Sequence, residues 1–310
     1  MKRATLKQLQ KDESGRAALA ACAILPDPVE LPLLGALCVS PEVMDLIFDV
    51  GVLEPASPLT ARWSGILKRD EVLEQLAWSE RRRLHERLAA LLAAKPERLV
   101  EAAQHYLAAC RYAEARVLMI RHAETACADK QYDRALAMLD QCLSLWPADE
   151  DRAKRLHMLG EMVRCARNCS RHDLANRALL ETLDMVGDTD AGITAKAHHQ
   201  LADLALMDED FTGARRHLEA AAVIAEKDKS GLDSARHWLA LASFLADQVR
   251  PHDALDVIRR AREVAGVPCD VAFDSELLAF EGLLCAMSEA RLPRRTILCD
   301  ARSNWRWRIN

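Results

Sequence analysis

The side chains best suited to holding a metal ion lie between residues 157 and 172. Cys165 and Cys169 are about one helical turn apart and would share a helix face, with His157 and His172 close in sequence. A tetrahedral zinc site usually takes at least one ligand pair from a tight Cys-x-x-Cys turn, and the sequence has no such turn. Free cysteines within helices commonly pack as small apolar side chains. The pattern therefore predicts core cysteines, with no metal and no cofactor.

Residues for nucleophilic or hydrolytic catalysis do not form a known motif either. The sequence has no Gly-x-Ser-x-Gly elbow, no HExxH pair and no GxxxxGK[ST] phosphate loop. His198 and His199 fall on one predicted helix, where His198 is expected to be a hydrogen-bonded core histidine and His199 to face a groove. The sequence therefore predicts that the protein is not an enzyme.

The composition indicates that helices position the cysteines and histidines named above. The 310 residues are 50% hydrophobic, 29% charged and only 5% aromatic, as is typical of a soluble Ala/Leu-rich helical protein. The net charge of −5 gives no global field that would hold nucleic-acid phosphates. The longest apolar run, Ala17–Leu25, is much shorter than the roughly 20 residues that span a bilayer. Ten scattered cysteines and a charged N-terminal segment favour a cytoplasmic all-α protein with reduced thiols.

From residue 96 onward, one pattern recurs at an almost constant interval. A small residue is followed by an aliphatic residue four positions later and by another small residue seven positions later. The leading residues are Ala135, Ala175, Ala214 and Ala254, at intervals of 40, 39 and 40. A small residue lets two helix backbones approach closely while bulky neighbours fill the grooves. The pattern predicts helix pairs that cross near these alanines; a helical bundle with accidental alanine periodicity is the alternative.

This repeat resembles the tetratricopeptide repeat, an antiparallel helix pair that stacks into a superhelix. Tyr132, three residues before Ala135, and Pro147, after the second helix, also fall where that repeat expects them. The family period is about 34 residues, whereas the period here is near 40, which implies longer helices or loops. The resemblance implies a tetratricopeptide-like α-α superhelix over residues 96–292.

Residues 15–95 resemble the region that joins the ATPase core to the repeats in the STAND family of bacterial signal-transduction ATPases. The stretch Trp63–Leu92 carries the resemblance. It reads WSGILKRDEVLEQL and then SERRRLHERLAALL, where the family has helices of the form ALxREALYEAL and RRRLHRRLAEALE. The resemblance implies a small winged-helix-like unit within residues 1–95. Its parts would be the helices Arg16–Leu25, Val29–Val39 and Pro41–Val50, and a short hairpin that pairs Val52–Leu53 with Leu59–Trp63.

Two departures from the STAND pattern concern nucleotide binding. The missing phosphate loop means that this chain alone is not expected to bind or hydrolyse ATP. Gly65 aligns with the family histidine thought to sense the nucleotide, and glycine has no side chain that could bond a phosphate. Nucleotide sensing through this position is therefore not expected.

DNA binding is also disfavoured, although winged-helix units can place a helix in the major groove. The candidate recognition helix carries Glu42, Asp45 and Asp49 and has no Lys or Arg, so phosphates would repel it. The basic cluster Arg81–Arg83 has acidic neighbours and is interpreted as a solvated helix face. Contact with a nucleic acid is therefore not expected from this unit.

The first helix of each predicted pair would line a concave groove, where tetratricopeptide proteins usually hold extended or helical peptides. The frame set by the four alanines places nine polar residues there: His157, Arg164, Arg167, Asn168, Lys196, His199, Asp203, Arg236 and Ser243. This set is mostly basic, although the chain as a whole is acidic. Converging cationic side chains focus positive potential, so we expect an acidic peptide or a C-terminal carboxylate as the ligand. The alternative for each residue is a solvated helix face without a ligand.

These observations favour a non-catalytic protein-protein interaction scaffold with tetratricopeptide repeats, acting in cytoplasmic signalling or transcription control. Its partner is expected to be a protein or peptide rather than a membrane, a nucleic acid or a small molecule. Two other functions stay open. The chain could be the regulatory C-terminal part of a STAND ATPase whose nucleotide-binding domain is missing or separately encoded, or a winged-helix DNA-binding regulator.

Residues 293–310 form a third predicted segment, a tail. Trp305 and Trp307 alternate there with Arg302, Arg306 and Arg308, and such residues could stack on bases or lie at a membrane surface. The helical pattern stops after Pro293, however, and chain termini are often loosely held. The pattern therefore favours a disordered tail without a function of its own.

Overall fold

A computed structural model describes residues 2–37, 39–147, 150–227, 231–266 and 270–289. Within these residues the protein is helical apart from one small sheet, so the predicted all-α class is confirmed. The chain divides into two compact units, Met1–Arg152 and Ala153–Asn310.

The first unit combines the sheet with a series of helices. Its elements are α1 (Lys2–Lys11), α2 (Glu13–Ile24), β1 (Val29–Glu30), α3 (Leu31–Ala36), α4 (Pro41–Asp49), β2 (Leu53–Ser57), β3 (Thr60–Trp63), α5 (Arg69–Glu74), α6 (Trp78–Ala93), α7 (Leu99–Ala108), α8 (Tyr112–Ala128) and α9 (Tyr132–Ser144). Helices α6, α7, α8 and α9 pack in sequence, each against the next.

The sheet has the antiparallel order β1-β3-β2. Leu53 lies opposite Trp63, which confirms the predicted hairpin. The predicted helix over Val29–Val39 is wrong at its start, because Val29 pairs with Ala61 as part of β1. Both of these side chains are fully buried at 0% exposure, so the added strand fills the core of this unit.

The second unit is a series of helix pairs. They are α10 (Arg152–Asn168) with α11 (His172–Val186), α12 (Ala191–Met207) with α13 (Phe211–Ala225), and α14 (Gly231–Asp247) with α15 (Pro251–Ala265), followed by α16 (Val271–Glu289). Helix α12 packs against α13, α14 against α15, and α15 against α16.

The turn within each of these pairs has the same backbone geometry. Ser170, Glu209 and Val249 have φ values of 55°, 60° and 59°, in the left-handed region. The N–H of the following residue donates to the carbonyl oxygen five positions back, at 2.8, 2.8 and 3.0 Å. Such a bond, together with a left-handed residue, ends a helix by satisfying carbonyls that have no partner within it. Matching turns that are 39 and 40 residues apart establish a structural repeat.

The four alanines of the sequence pattern lie where the helix-pair prediction requires them. Ala135, Ala175, Ala214 and Ala254 are each 0% exposed. Ala214 belongs to the same buried cluster as Ala202 of α12 and Leu218 of α13. The prediction of a tetratricopeptide-like repeat region is therefore confirmed at the level of helix pairs that pack around small residues.

Two further predictions concern the ends of the chain and membranes. The predicted tail, residues 293–310, lies outside the described residues. Among the residues that the structure does describe, no helix is both long enough and apolar enough to cross a bilayer.

Candidate functional site

The predicted groove residues lie on the first helix of each pair, α10, α12 and α14. Side-chain contacts join these helices across the repeats. Arg167 Nη2 lies 3.2 Å from Asp203 Oδ2, which links α10 to α12. The rings of His199 and His237 lie 5.3 Å apart between centroids, which links α12 to α14. We call the nine predicted residues together with His237 the inner face; one side-chain contact joins each of its helices to the next.

The inner face is less basic than the sequence suggests, because each of its arginines has a carboxylate partner. Arg164 pairs with Glu161 one turn earlier on α10. Arg236 Nη1 lies 3.3 Å from Asp233 on α14, and Arg167 pairs with Asp203. These exposed or half-buried pairs are individually weak in water. A ligand carboxylate can therefore compete for the guanidinium groups, but to bind it must displace the carboxylate that each arginine already contacts.

Two cationic or titratable side chains of the inner face are free. Lys196 and His157 are exposed and make no hydrogen bond or ion pair with the described part of the chain. Asn168 is not free, because its Nδ2 donates to the carbonyl oxygen of Arg164 at 2.8 Å. Ser243 is half-buried on α14. Lys196 is thus the inner-face cation that is most available to a ligand.

The His199 and His237 pair lies beside Lys196 and is short of hydrogen-bonding partners. Both Nδ1 atoms are buried, and neither has a partner within the described residues. Burial is the main cause that lowers the pKa of His237 to about 4; the neighbouring His199 and Lys196 act in the same direction, and Asp233 opposes them. His237 is therefore neutral at pH 7.

His198, the other histidine of the sequence pair, faces away from the inner face. Its Nδ1 lies 3.0 Å from Nδ1 of His217, so one ring must donate and the other accept. This bond ties α12 to α13, the two helices of one pair. The prediction that His198 is a hydrogen-bonded core histidine is therefore confirmed, with the bond half-buried between the two helices.

Helix α16 carries residues that match inner-face positions in the 40-residue repeat, and the sequence pattern had not predicted them. Forty residues after Arg236 and Ser243 stand Glu276 and Leu283, and the same helix side carries Ala279 and Ala286. Leu283 is 36% exposed. Burial raises the pKa of Glu276, an effect that Arg236 opposes. Adding 40 to the numbers of Arg236 and Ser243 locates Glu276 and Leu283 in the sequence. With Leu283 and the two alanines, the α16 end of the surface is more apolar than the rest.

The candidate metal ligands are not assembled into a site. Cys165 is buried on α10 and Cys169 is half-buried in the turn that follows it, while His172 Nδ1 lies 3.4 Å from Asp208 Oδ1. Within the described ranges, no group of three or more His, Cys, Asp or Glu side chains is placed to hold a metal ion.

The features considered for DNA binding lie in the first unit. The exposed surface of α4 carries Glu42, Asp45 and Asp49. Arg81 Nη2 donates to the carbonyl oxygen of Leu73 on α5 at 2.6 Å. Arg82 Nε donates at 2.8 Å to the carbonyl oxygen of Ala109, at the end of α7. Two of the three clustered arginines therefore hold helices together.

Comparisons with known proteins give distant similarities to solved structures but no family. No family model matches the chain, and no curated protein matches it. The chain is similar to BtubC from P. vanneervenii, at 14% identity over 65% of this chain and 84% of that one, with a TM-score of 0.45. The apo form of RapI is similar at 16% identity over 72% and 67%, with a TM-score of 0.43.

A third similar structure is a STAND protein with a tetratricopeptide repeat sensor from Pyrococcus horikoshii. It is 12% identical over 91% of this chain, with a TM-score of 0.39. The chain spans about half of its length, 48%. The repeat region is therefore recognised from its own helix pairs, turns and buried alanines.

Proposed function

We propose that this protein is a non-catalytic protein-interaction scaffold whose inner face binds a segment of a partner protein. The observation that carries the proposal is the pair of contacts that link the helices of the inner face. The Arg167–Asp203 and His199–His237 contacts join three successive first helices, and exposed polar side chains stand along them. A surface of this kind suits a peptide that makes a few contacts at each repeat.

The chemistry of the inner face supports an acidic peptide with an apolar end. Lys196 is free within the described residues, and it lies close enough to His237 for its charge to contribute to the lowered pKa of that ring. A ligand carboxylate placed there would gain a charge-assisted hydrogen bond without displacing an existing carboxylate. Toward α16 the surface offers Leu283, Ala279 and Ala286, which suit an apolar side chain.

Peptide selection tests this proposal. A display library of random peptides is selected on the full-length protein, and the enriched peptides are then titrated against three proteins. These are the wild type, Lys196→Glu on the inner face and Lys227→Glu, an exposed lysine just after α13. We expect enrichment of Asp and Glu, at least about tenfold weaker binding by Lys196→Glu, and no change for Lys227→Glu. Equal binding by all three proteins would contradict the inner-face proposal.

We also propose that the first unit begins with a winged-helix-like fold, within residues 1–95. The support is the order of elements, which runs helix, strand, two helices and a hairpin from α2 to β3. The acidic α4 favours a protein contact over DNA for this fold. An electrophoretic shift assay with duplex DNA at physiological salt is expected to show no retardation, and retardation would favour the DNA-binding alternative.

The order of these elements before the repeats also favours a role as the regulatory part of a STAND-type system in signalling or transcription control. In that role an ATPase would be a separate chain or a missing domain. None of the seven described cysteines is part of a disulfide, which supports a cytoplasmic place of action. Co-expression with a neighbouring P-loop protein, followed by co-purification, tests this assignment.

A further inference from the structure

The two histidine rings that join α12 to α14 each leave one nitrogen at the surface. His199 and His237 meet edge to face, with an interplanar angle of 67° and 5.3 Å between ring centroids. The Nδ1 atom of each ring is buried and has no hydrogen-bond partner among the described residues. The Nε2 atoms make no hydrogen bond with that part of the chain either but, unlike Nδ1, they reach solvent. Each ring therefore turns Nδ1 inward and Nε2 outward.

This arrangement decides which nitrogen carries the proton. A neutral imidazole has one N–H and one lone pair, and the surroundings of the two nitrogens select between the two tautomers. A buried N–H without an acceptor is costly, whereas an N–H at the surface bonds to water or to a ligand. In their neutral forms, His199 and His237 should therefore both carry the proton on Nε2. They then present two N–H donors to a ligand on the inner face.

The contact between His198 and His217 shows how a histidine pair can satisfy itself. The centroids of these rings also lie 5.3 Å apart, but the two Nδ1 atoms are 3.0 Å from each other, so one ring donates and the other accepts. In the His199–His237 pair the ring spacing is the same and the mutual hydrogen bond is missing. Two rings this close, on two helices, thus leave both outer nitrogens to a third group.

Lys196 supplies the charge that two neutral donors lack. It stands three residues before His199 on α12, so both side chains lie on the same side of that helix. Its charge also acts on His237 of α14, which places it near the second ring. Asp233 acts on His237 as well, but it is paired with Arg236. Within the described residues, neither Lys196 nor the two rings have a carboxylate partner of their own.

A metal ion fits this arrangement less well than an oxyanion does. Metal binding through Nε2 would move the proton of each ring to Nδ1, where the described part of the chain offers no acceptor. Metal-bound histidines normally donate that proton to a carboxylate, a carbonyl oxygen or water. The positive charge of Lys196 also opposes a cation. A carboxylate, in contrast, takes N–H donors and a nearby cation, and both are present.

We infer that the Nε2–H groups of His199 and His237 and the ammonium group of Lys196 together bind one carboxylate of the partner segment. This inference rests on the proposed function and adds the ligand group that is recognised and the place where it binds, at the step from α12 to α14. An Asp or Glu side chain and the C-terminus of the partner carry the same chemical group, and the peptide experiment below distinguishes them.

Nitrogen-15 NMR of the histidine side chains tests the site in the full-length wild type without a peptide. At pH 8, both His199 and His237 should show the Nε2–H tautomer. Sodium acetate should shift their Nε2 signals saturably and leave the signals of His198 and His217 in place. An Nδ1–H tautomer in either ring of the His199–His237 pair, or the absence of a saturable acetate shift, would overturn the inference. This readout does not depend on how well a variant folds.

Peptide titration gives a second readout, with an acidic peptide selected on the wild type as probe. His199→Leu and His237→Leu should each weaken binding about tenfold, because each removes one donor to a charged group. His199→Gln and His237→Gln should recover most of this loss, since the glutamine amide keeps an N–H near the Nε2 position. His252→Leu, at an exposed position on α15, is the matched control and should bind like the wild type.

Changes to the peptide identify the bound carboxylate. C-terminal amidation, or replacement of one Asp or Glu by its amide, should weaken binding to the wild type about tenfold and have little further effect on the two leucine variants. If no single carboxylate matters, the inference is wrong. It is also wrong if Lys196→Glu weakens binding and the leucine variants do not, although the inner-face proposal would then hold. If binding is independent of Lys196 as well, both the proposed function and this inference fail.

Discussion

The histidine pairs make the stability of this protein depend on pH. Burial lowers the pKa of His85, in contact with His105, from 6.5 to about 4, and burial beside His199 does the same for His237. In both cases the folded-state pKa lies below the unfolded value. The stabilisation is therefore fully present above pH 6.5 and is lost as the pH falls toward 4.

The expected loss can be worked out at an intermediate pH. A histidine that shifts from 6.5 unfolded to about 4 folded costs about 2 kcal/mol of stability at pH 5 relative to neutral pH. Both rings are only partly buried, and surrounding water screens the effect, so we take about 1 kcal/mol for each. Acidification from pH 7.5 to pH 5 should therefore remove about 2 kcal/mol through these two histidines.

Urea denaturation at the two pH values measures this loss. His237→Gln and His85→Gln should each reduce the pH-dependent difference by about 1 kcal/mol, because glutamine does not titrate. His157→Gln, at an exposed position on α10, is the matched control and should leave the difference unchanged. A wild type that is equally stable at both pH values would refute the reasoning. So would a control that behaves like the two test variants.

Three other predictions test the repeat and the inner face. Ala214→Leu overpacks a fully buried helix crossing and should cost about 1–3 kcal/mol in the free energy of unfolding; the same change at exposed Ala153 should cost a few tenths at most. Val249 has a φ of 59°, a backbone conformation that is strained for a β-branched residue. Val249→Gly removes this strain but adds conformational entropy to the unfolded chain, so the net effect should be a stabilisation of about 0.5–1 kcal/mol. A lower melting temperature would contradict this. The double variant Arg164→Glu/Arg167→Glu should bind a selected acidic peptide more weakly, and wild-type binding should weaken as salt rises; unchanged affinity would point to another surface.

The regular features of the fold could be predicted from the sequence because their causes are local. Alanines such as Ala175 and Ala214 recur at the helix-pair interval, and this interval sets the crossings. The left-handed turns gave no such signal, since Ser170, Glu209 and Val249 stand where glycine usually marks a helix end. A two-residue strand such as β1 also has no period that a sequence pattern could reveal.

For the inner face, the sequence predicted which residues share a side of a helix but not what they contact. The Arg164–Glu161 and Arg236–Asp233 pairs are local and could have been read from their spacing of three residues. The Arg167–Asp203 pair could not, because its partners lie 36 residues apart.

The helix pairs, their interval and the polar side of each first helix follow from the amino-acid pattern, because helical periodicity sets the direction of every side chain relative to its neighbours on the same helix. The contacts of His198 with His217 and of His199 with His237 became visible only in the folded chain. Those outcomes depend on the distance and rotation between packed helices, which periodicity along one helix does not specify.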